Sequence, residues 1–192
     1  MRKFLLILGT GVLALAFSGC TSSADTSEEP LDSSEYTNSD GRGSDGEFSF
    51  SNIKSCDEME PFLNVWIDGL TPYDWNTVSS TEIHCGWDTS AGNVAPDEAR
   101  SIEVNLVQQS ELPDYSLLEK MKGYERLDDA WVAENGGVAF AMTIDIGISA
   151  AIGTTIWVPG VEVTVSGGRW ANLPELDGPA GLEIAKNILV SR

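Results

Sequence analysis

The second half of the chain alternates between large apolar residues and small or polar ones. Every second position is apolar across residues 138–146, and the same pattern returns across residues 152–158 and 161–165. A period of two places successive side chains on opposite faces of a β-strand. The pair Pro159-Gly160 supplies a tight turn between the last two stretches. The pattern therefore predicts a three-stranded antiparallel meander.

The positions between the large apolar residues of this meander are small. Ala139 and Ala141 occupy them on the first strand, and Gly153 does so on the second. Small side chains let a helix backbone approach a sheet closely, and they are also compatible with a face in water. The pattern leaves both arrangements open.

Further strands and helices are predicted around the meander. Residues 81–87 and 101–107 alternate as strands do, and the first of these places Cys85 and Trp87 on one face. Helical spacing or helix start signals predict helices over residues 57–68, over residues 113–122 and from Asp177-Gly178-Pro179 onward. The sum is an α+β fold, an antiparallel sheet with helices packed on one face.

The first twenty residues have the pattern of a secretory signal. Arg2 and Lys3 precede an apolar run over residues 4–17, which is too short for a stable membrane span. The ending Phe17-Ser18-Gly19-Cys20 resembles a bacterial lipobox. This resemblance implies a diacylglycerol on the thiol of Cys20, cleavage after Gly19 and a location at the extracytoplasmic face of the cell membrane. An ordinary cleaved signal is the alternative.

Charge and composition divide the rest of the chain. Residues 21–47 hold eight acidic residues, one basic residue and few apolar ones, so we expect a disordered tether there. The predicted organisation is a signal at 1–19, the lipidated Cys20 with its tether at 20–47, and one globular domain at 48–192. The whole chain has a net charge of −19, which argues against nucleic acid as a partner and against adhesion to anionic lipid through a basic patch.

Two cysteines lie in the predicted domain. In an exported protein an even pair, here Cys56 and Cys85, favours a disulfide, with free thiols or a metal site as alternatives. His84 is the chain's single histidine and is adjacent to Cys85, where joint chelation is awkward, and no CxxC occurs. We expect no metal and no other cofactor.

Enzyme chemistry has little support in the sequence. No GxSxG, HExxH or P-loop motif is present, and the single histidine lies beside an expected disulfide. Carboxylate pairs occur, but a chain this acidic brings carboxylates together by chance. We expect a protein that is not an enzyme.

Six tryptophans are many for a chain of this length. Aromatic side chains usually pack in cores, but exposed ones anchor partners or stack on sugars. Trp75 lies in a predicted loop, and Trp157 alternates with the apolar residues that flank it. With Trp170, these residues are the candidate binding surface.

A wider resemblance follows from the cysteine pattern. Cys56 near the first helix, the triplet Cys85-Gly86-Trp87 at a strand, the lipobox and the acidic tether together resemble the Cys…Cys-x-Trp cell-envelope lipoproteins of high-GC Gram-positive bacteria, which are families of unknown function. The resemblance implies a disulfide between Cys56 and Cys85 with Trp87 packed nearby. It implies no chemistry.

The function hypotheses concern binding at the cell envelope. The first is a non-enzymatic module, held at the membrane through Cys20, that binds an envelope protein or a wall component. The alternative is an accessory binder of a small apolar or cationic ligand for a membrane transporter. Regulation of an exported enzyme fits the same features.

Overall fold

A computed structural model describes residues 50–89, 99–145, 147, 149–170 and 174–191. All of these residues belong to one compact unit, Gly41–Arg192. The predicted signal, the lipidated Cys20 and the predicted tether lie outside the described residues. Across the described ranges, no helix is long and apolar enough to span a membrane.

Eight strands of the described chain form one antiparallel sheet. They are β1 (Thr71–Pro72), β2 (Thr77–Val78), β3 (Glu82–Asp88), β4 (Ser101–Gln109), β5 (Tyr124–Arg126), β6 (Val138–Asp145), β7 (Ala150–Val158) and β8 (Gly160–Arg169). Their order across the sheet is β1-β3-β4-β8-β7-β6-β5, and β2 also pairs with β3. The helices are α1 (Glu60–Leu63), α2 (Ala130–Glu134) and α3 (Gly178–Val190). The predicted α+β class is confirmed.

The predicted meander consists of β6, β7 and β8. Ile156 at its centre lies opposite Ala139 on one side and Val163 on the other. The turn between β7 and β8 contains Pro159 and Gly160, and Gly160 has a φ of 98°. Glycine adopts this left-handed conformation without the steric cost that a side chain brings, which explains the tight connection.

One face of the sheet, which we call the inner face, packs against α3. A Cβ atom at Gly178 would lie 2.8 Å from the Cβ of Ala141, and one at Gly181 would lie 2.5 Å from the Oγ1 of Thr154. The helix backbone therefore touches the sheet directly, which requires small residues on both sides of the contact. The sequence pattern left open whether the small residues of the meander face a helix or water. At β6 they face a closely packed helix.

The predicted disulfide between Cys56 and Cys85 is present and joins the first helical turns to β3. The two Cα atoms are 5.4 Å apart. Cys85 and Trp87 lie on the inner face, as their spacing predicted, and both are buried. Met59 and Leu63, from the segment that carries Cys56, are buried in the same core. The covalent link thus fixes this segment over the inner face.

The helix predicted over residues 57–68 is broken into shorter pieces. A 3-10 turn at Cys56–Met59, the single turn α1 and a second 3-10 turn at Asn64–Trp66 follow one another. Asn64 ends α1 with a φ of 32°, outside the helical region. The apolar spacing was read correctly as helical, but the backbone does not continue through Asn64 as one helix.

The helix predicted over residues 113–122 is wrong. A single 3-10 turn, Leu118–Lys120, is present there. The side chain of Tyr115 instead reaches the sheet, where it packs on Phe140 and hydrogen-bonds to Glu162. Leu117 remains 74% exposed, so the segment lacks the buried apolar stripe that stabilises a short helix.

Candidate functional site

The sheet face opposite α3, which we call the outer face, carries the chemically distinctive side chains. One row across it follows from the strand register and consists of His84, Asn105, Thr164, Thr155, Phe140 and Arg126. The two threonine hydroxyls in the middle are 3.0 Å apart and share a hydrogen bond. Four strand spacings separate His84 from Phe140, a distance of about 20 Å. Aromatic groups lie at the two ends of this row.

The first aromatic group is the Trp75 stack, formed by Tyr73, Trp75 and His84. The ring of Trp75 lies 4.5 Å from the ring of Tyr73 with an interplanar angle of 18°, and 4.5 Å from the ring of His84 with an angle of 25°. Trp75 is nevertheless 58% exposed. The stack therefore fixes the indole against the sheet while most of its surface faces solvent.

Several hydrogen bonds hold the loop of the Trp75 stack on β3. The side chain of Asn76 accepts from the backbone N–H of Gly86 at 2.7 Å and donates to the carbonyl of Gly86 at 3.1 Å. The backbone N–H of Tyr73 donates to the same carbonyl at 2.9 Å. The Tyr73 hydroxyl donates to Glu103 at 3.4 Å. Burial, and then the Glu103 carboxylate, raise the pKa of Tyr73, so its hydroxyl stays protonated near neutral pH.

Gly86 makes this geometry possible. A Cβ at this position would lie 2.2 Å from two ring carbons of Tyr73. A glycine within a strand often marks a place where another group approaches the backbone closely. Here that group is the tyrosine ring beneath Trp75.

The second aromatic group is the Phe140 pocket, formed around Tyr115, Tyr124 and Phe140. The ring of Phe140 lies 4.8 Å from that of Tyr115, tilted by 59°, and 5.5 Å from that of Tyr124, nearly parallel. These rings line a surface cavity of about 400 Å³. Asp114, Glu119 and Arg126 are the charged residues among its lining.

Tyr115 is held by Glu162 on β8. Its hydroxyl donates to the Oε2 of Glu162 at 2.6 Å. Burial, followed by this hydrogen bond, raises the pKa of Tyr115 well above its ordinary value. The phenol therefore remains neutral, and its hydrogen bond to the carboxylate fixes the ring over Phe140.

The three tryptophans of the predicted binding surface are not together. Trp75 is exposed, as expected for a loop residue, whereas Trp157 is 6% exposed and Trp170 is partly buried against the core. Trp157 does lie on the outer face, directly opposite Glu162. It is buried there, its indole N–H donates to the carbonyl of Gln109 at 3.2 Å, and the paired Glu162 accepts a hydrogen bond from Tyr115. The expectation of an exposed Trp157 is wrong.

Sequence reasoning also missed residues that the fold brings together. Tyr73 and His84 were not assigned to a site, although Gly86 inside a predicted strand was a usable signal. Tyr115, Phe140 and Glu162 carry no local signal, because they come from separate parts of the chain and meet on the outer face. Within the described ranges, no group of three or more His, Cys, Asp or Glu side chains is arranged to hold a metal ion.

Comparisons with protein families, with curated proteins and with solved structures find no match to this chain.

Proposed function

We propose that this protein is a lipid-anchored binding module of the cell envelope. In this proposal Cys20 carries the anchor at the extracytoplasmic face of the membrane, and the Trp75 stack binds an envelope protein or a wall component. The exposed and fixed indole of Trp75 is the observation that supports the binding role most directly.

A fixed exposed indole is well suited to binding. Tryptophan offers a large contact area with few rotatable bonds, and it is enriched among the residues that dominate the energy of interfaces. Ordering a free side chain on association costs roughly 0.5–1.5 kcal/mol. The stacking against Tyr73 and His84 orders Trp75 before any partner arrives, so this cost is largely removed.

The charge around the Trp75 stack narrows the choice of partner. Asp88 lies two positions beyond Gly86 on the same face of β3, and Glu103 contacts Tyr73. The chain as a whole has a net charge of −19. Like charges across an interface disfavour association, so the proposed partner presents a neutral or basic surface to Trp75.

Replacing Trp75 tests this proposal. The full mature protein, the variant Trp75→Ala and the control Val65→Ala are compared in two assays, sedimentation with purified Gram-positive cell walls and crosslinking on intact cells. Val65 is another exposed apolar residue, at 49% exposure. We expect Trp75→Ala to lower retention or crosslinking about tenfold, as loss of an anchoring aromatic does, and Val65→Ala to leave both unchanged.

The result for Trp75→Ala decides the proposal. Loss of sedimentation identifies a wall component, and loss of a crosslinked band identifies a protein partner. Wild-type values for Trp75→Ala in both assays would overturn the binding role of the stack.

A further inference from the structure

We propose that the Phe140 pocket is a second binding site, which takes a small organic cation such as a quaternary ammonium compound. This site does not depend on the Trp75 stack, since it lies at the other end of the outer-face row. It gives the sequence-based alternative, a binder of small ligands, a defined location. The argument rests on the cavity, its aromatic walls and its charge.

The volume of the cavity falls in the range of small-molecule sites. Its volume is about 400 Å³, and small-molecule sites commonly measure roughly 300–1,000 Å³. Its floor is part of the sheet, because Phe140 is buried on β6 and is paired in register with Thr155 on β7 and with Arg126 on β5. The ligand would therefore meet a preformed surface.

The walls of the cavity suit a cation. Aromatic rings carry negative charge on their faces, and an ammonium group within about 6 Å of a ring centre is attracted to them. Tyr115 and Tyr124 both lie next to Phe140 but at different angles to it. Rings in different orientations can contact a rounded ammonium group from more than one side.

The carboxylates of the pocket add to this preference. Asp114 and Glu119 line the cavity. A backbone hydrogen bond from Ser116 lowers the pKa of Asp114, which keeps this exposed carboxylate ionised at neutral pH. Glu162 accepts the hydrogen bond of Tyr115, and a negative acceptor there makes the phenol ring more electron-rich.

Arg126 is the one group of the lining that opposes a cation. It is paired at 3.9 Å with Asp128, and both of these side chains are more than half exposed. Its charge is therefore partly compensated and screened by solvent. With Asp114, Glu119 and Glu162 included, the site has more negative than positive charge, so an organic cation is favoured over an anion.

Matched pairs of ligands test this inference by calorimetry on the full mature protein. Choline, tetramethylammonium and benzyltrimethylammonium are each compared with the neutral analogue in which carbon replaces nitrogen. Acetate is the anionic probe. We expect at least one cation to bind about tenfold more tightly than its neutral analogue, a difference typical of cation–π contact with a nearby carboxylate.

Variants assign the binding to this pocket. Asp114→Asn combined with Glu119→Gln removes two exposed charges and should weaken binding of the cation about fivefold. Tyr124→Leu should weaken it as well, while Trp75→Ala should leave it unchanged. This last variant separates the two proposals, because it removes the proposed envelope binding and keeps the cation site.

Three outcomes would overturn the inference. The first is that no cation binds more tightly than its neutral analogue. The second is that acetate binds more tightly than the cations, which would point to Arg126 instead. The third is that the cation binds, but the double variant and Tyr124→Leu, confirmed as folded by circular dichroism, bind it as wild type does.

Discussion

Gly86 is the residue on which the arrangement of the Trp75 stack depends most directly. It lies between Cys85, which forms the disulfide on the inner face, and Trp87, which is buried in the core. Its own missing side chain leaves room on the outer face for the ring of Tyr73. A single position without a Cβ thus allows an aromatic group to lie flat on the strand.

Gly86→Ala should therefore damage the Trp75 stack without changing any of its residues. The new Cβ would lie 2.2 Å from the Tyr73 ring, so that ring must move and Trp75 loses its support. We expect a loss of about 1–3 kcal/mol in the free energy of unfolding, measured by urea denaturation, as for other overpacked sites. Binding through Trp75 should fall as well.

A second outer-face glycine provides the control. A Cβ at Gly153 would have Ser166 Oγ as its nearest neighbour, at 3.8 Å, which is an ordinary contact. Gly153→Ala should change the free energy of unfolding by no more than about 0.5 kcal/mol. Equal losses for the two variants would show that the ring of Tyr73 does not rest on Gly86.

At the scale of elements, alternation was sufficient to predict the five long strands β3, β4, β6, β7 and β8, whereas the short strands β1, β2 and β5 were not predicted. Residues 138–145 and 150–169 form the meander because large apolar and small residues alternate there, and the turn at Pro159-Gly160 has one favourable geometry. The last helix was predicted by its start signal, and Asp177 does cap it by accepting a hydrogen bond from Ala180. These signals are local, so the sequence displays them.

The parts that sequence could not predict depend on contacts between distant segments. Residues 113–122 hold residues compatible with a helix, but Tyr115 gains more by packing on Phe140 and bonding to Glu162, 47 positions away. Trp157 lies on the outer face, as alternation predicted, but it is buried there and its indole N–H reaches the carbonyl of Gln109. No local pattern reports that another segment covers that face.

The disulfide that links the N-terminal helical turns to β3 should contribute to the free energy of unfolding. It closes a loop with a sequence separation of 29 residues, which corresponds to about 3.5 kcal/mol of stabilisation in the chain-entropy model. Reducing the disulfide should lower the free energy of unfolding by about that amount, and replacing both Cys56 and Cys85 by alanine should lower it somewhat more. Urea denaturation of the double variant beside the oxidised and reduced wild type measures it.

Comparing the alanine variant with the reduced protein separates the effect of losing the covalent link from the effect of losing the buried sulfur atoms. Reduction removes the link and keeps both side chains, whereas the alanine variant also loses buried sulfur atoms. We expect the reduced protein to be the more stable of the two by about 1 kcal/mol. Stability of the reduced protein equal to that of the oxidised form would contradict a stabilising role for the link.

At the scale of the whole molecule, the proposed lipid anchor on Cys20 would hold the domain at the membrane. The first half of the proposal places a diacylglycerol on Cys20, and two acyl chains are about what stable membrane anchoring requires. Intact mass of the membrane-extracted protein should then show a diacylglyceryl addition. Cys20→Ala should abolish that addition and release the protein from the membrane fraction. An unlipidated mass for the wild type would contradict the anchor.

The link between Cys56 and β3 also has a mechanical meaning if the chain is anchored through Cys20. Tension from a bound partner at Trp75 would reach Cys56 along two covalent paths, one through the residues that precede Trp75 and one through β3 and the disulfide. Trp75 lies inside the loop that the disulfide closes, so the two paths would share that load. The domain could then resist a steady pull at its binding face without its sheet being peeled apart from the first helical turns.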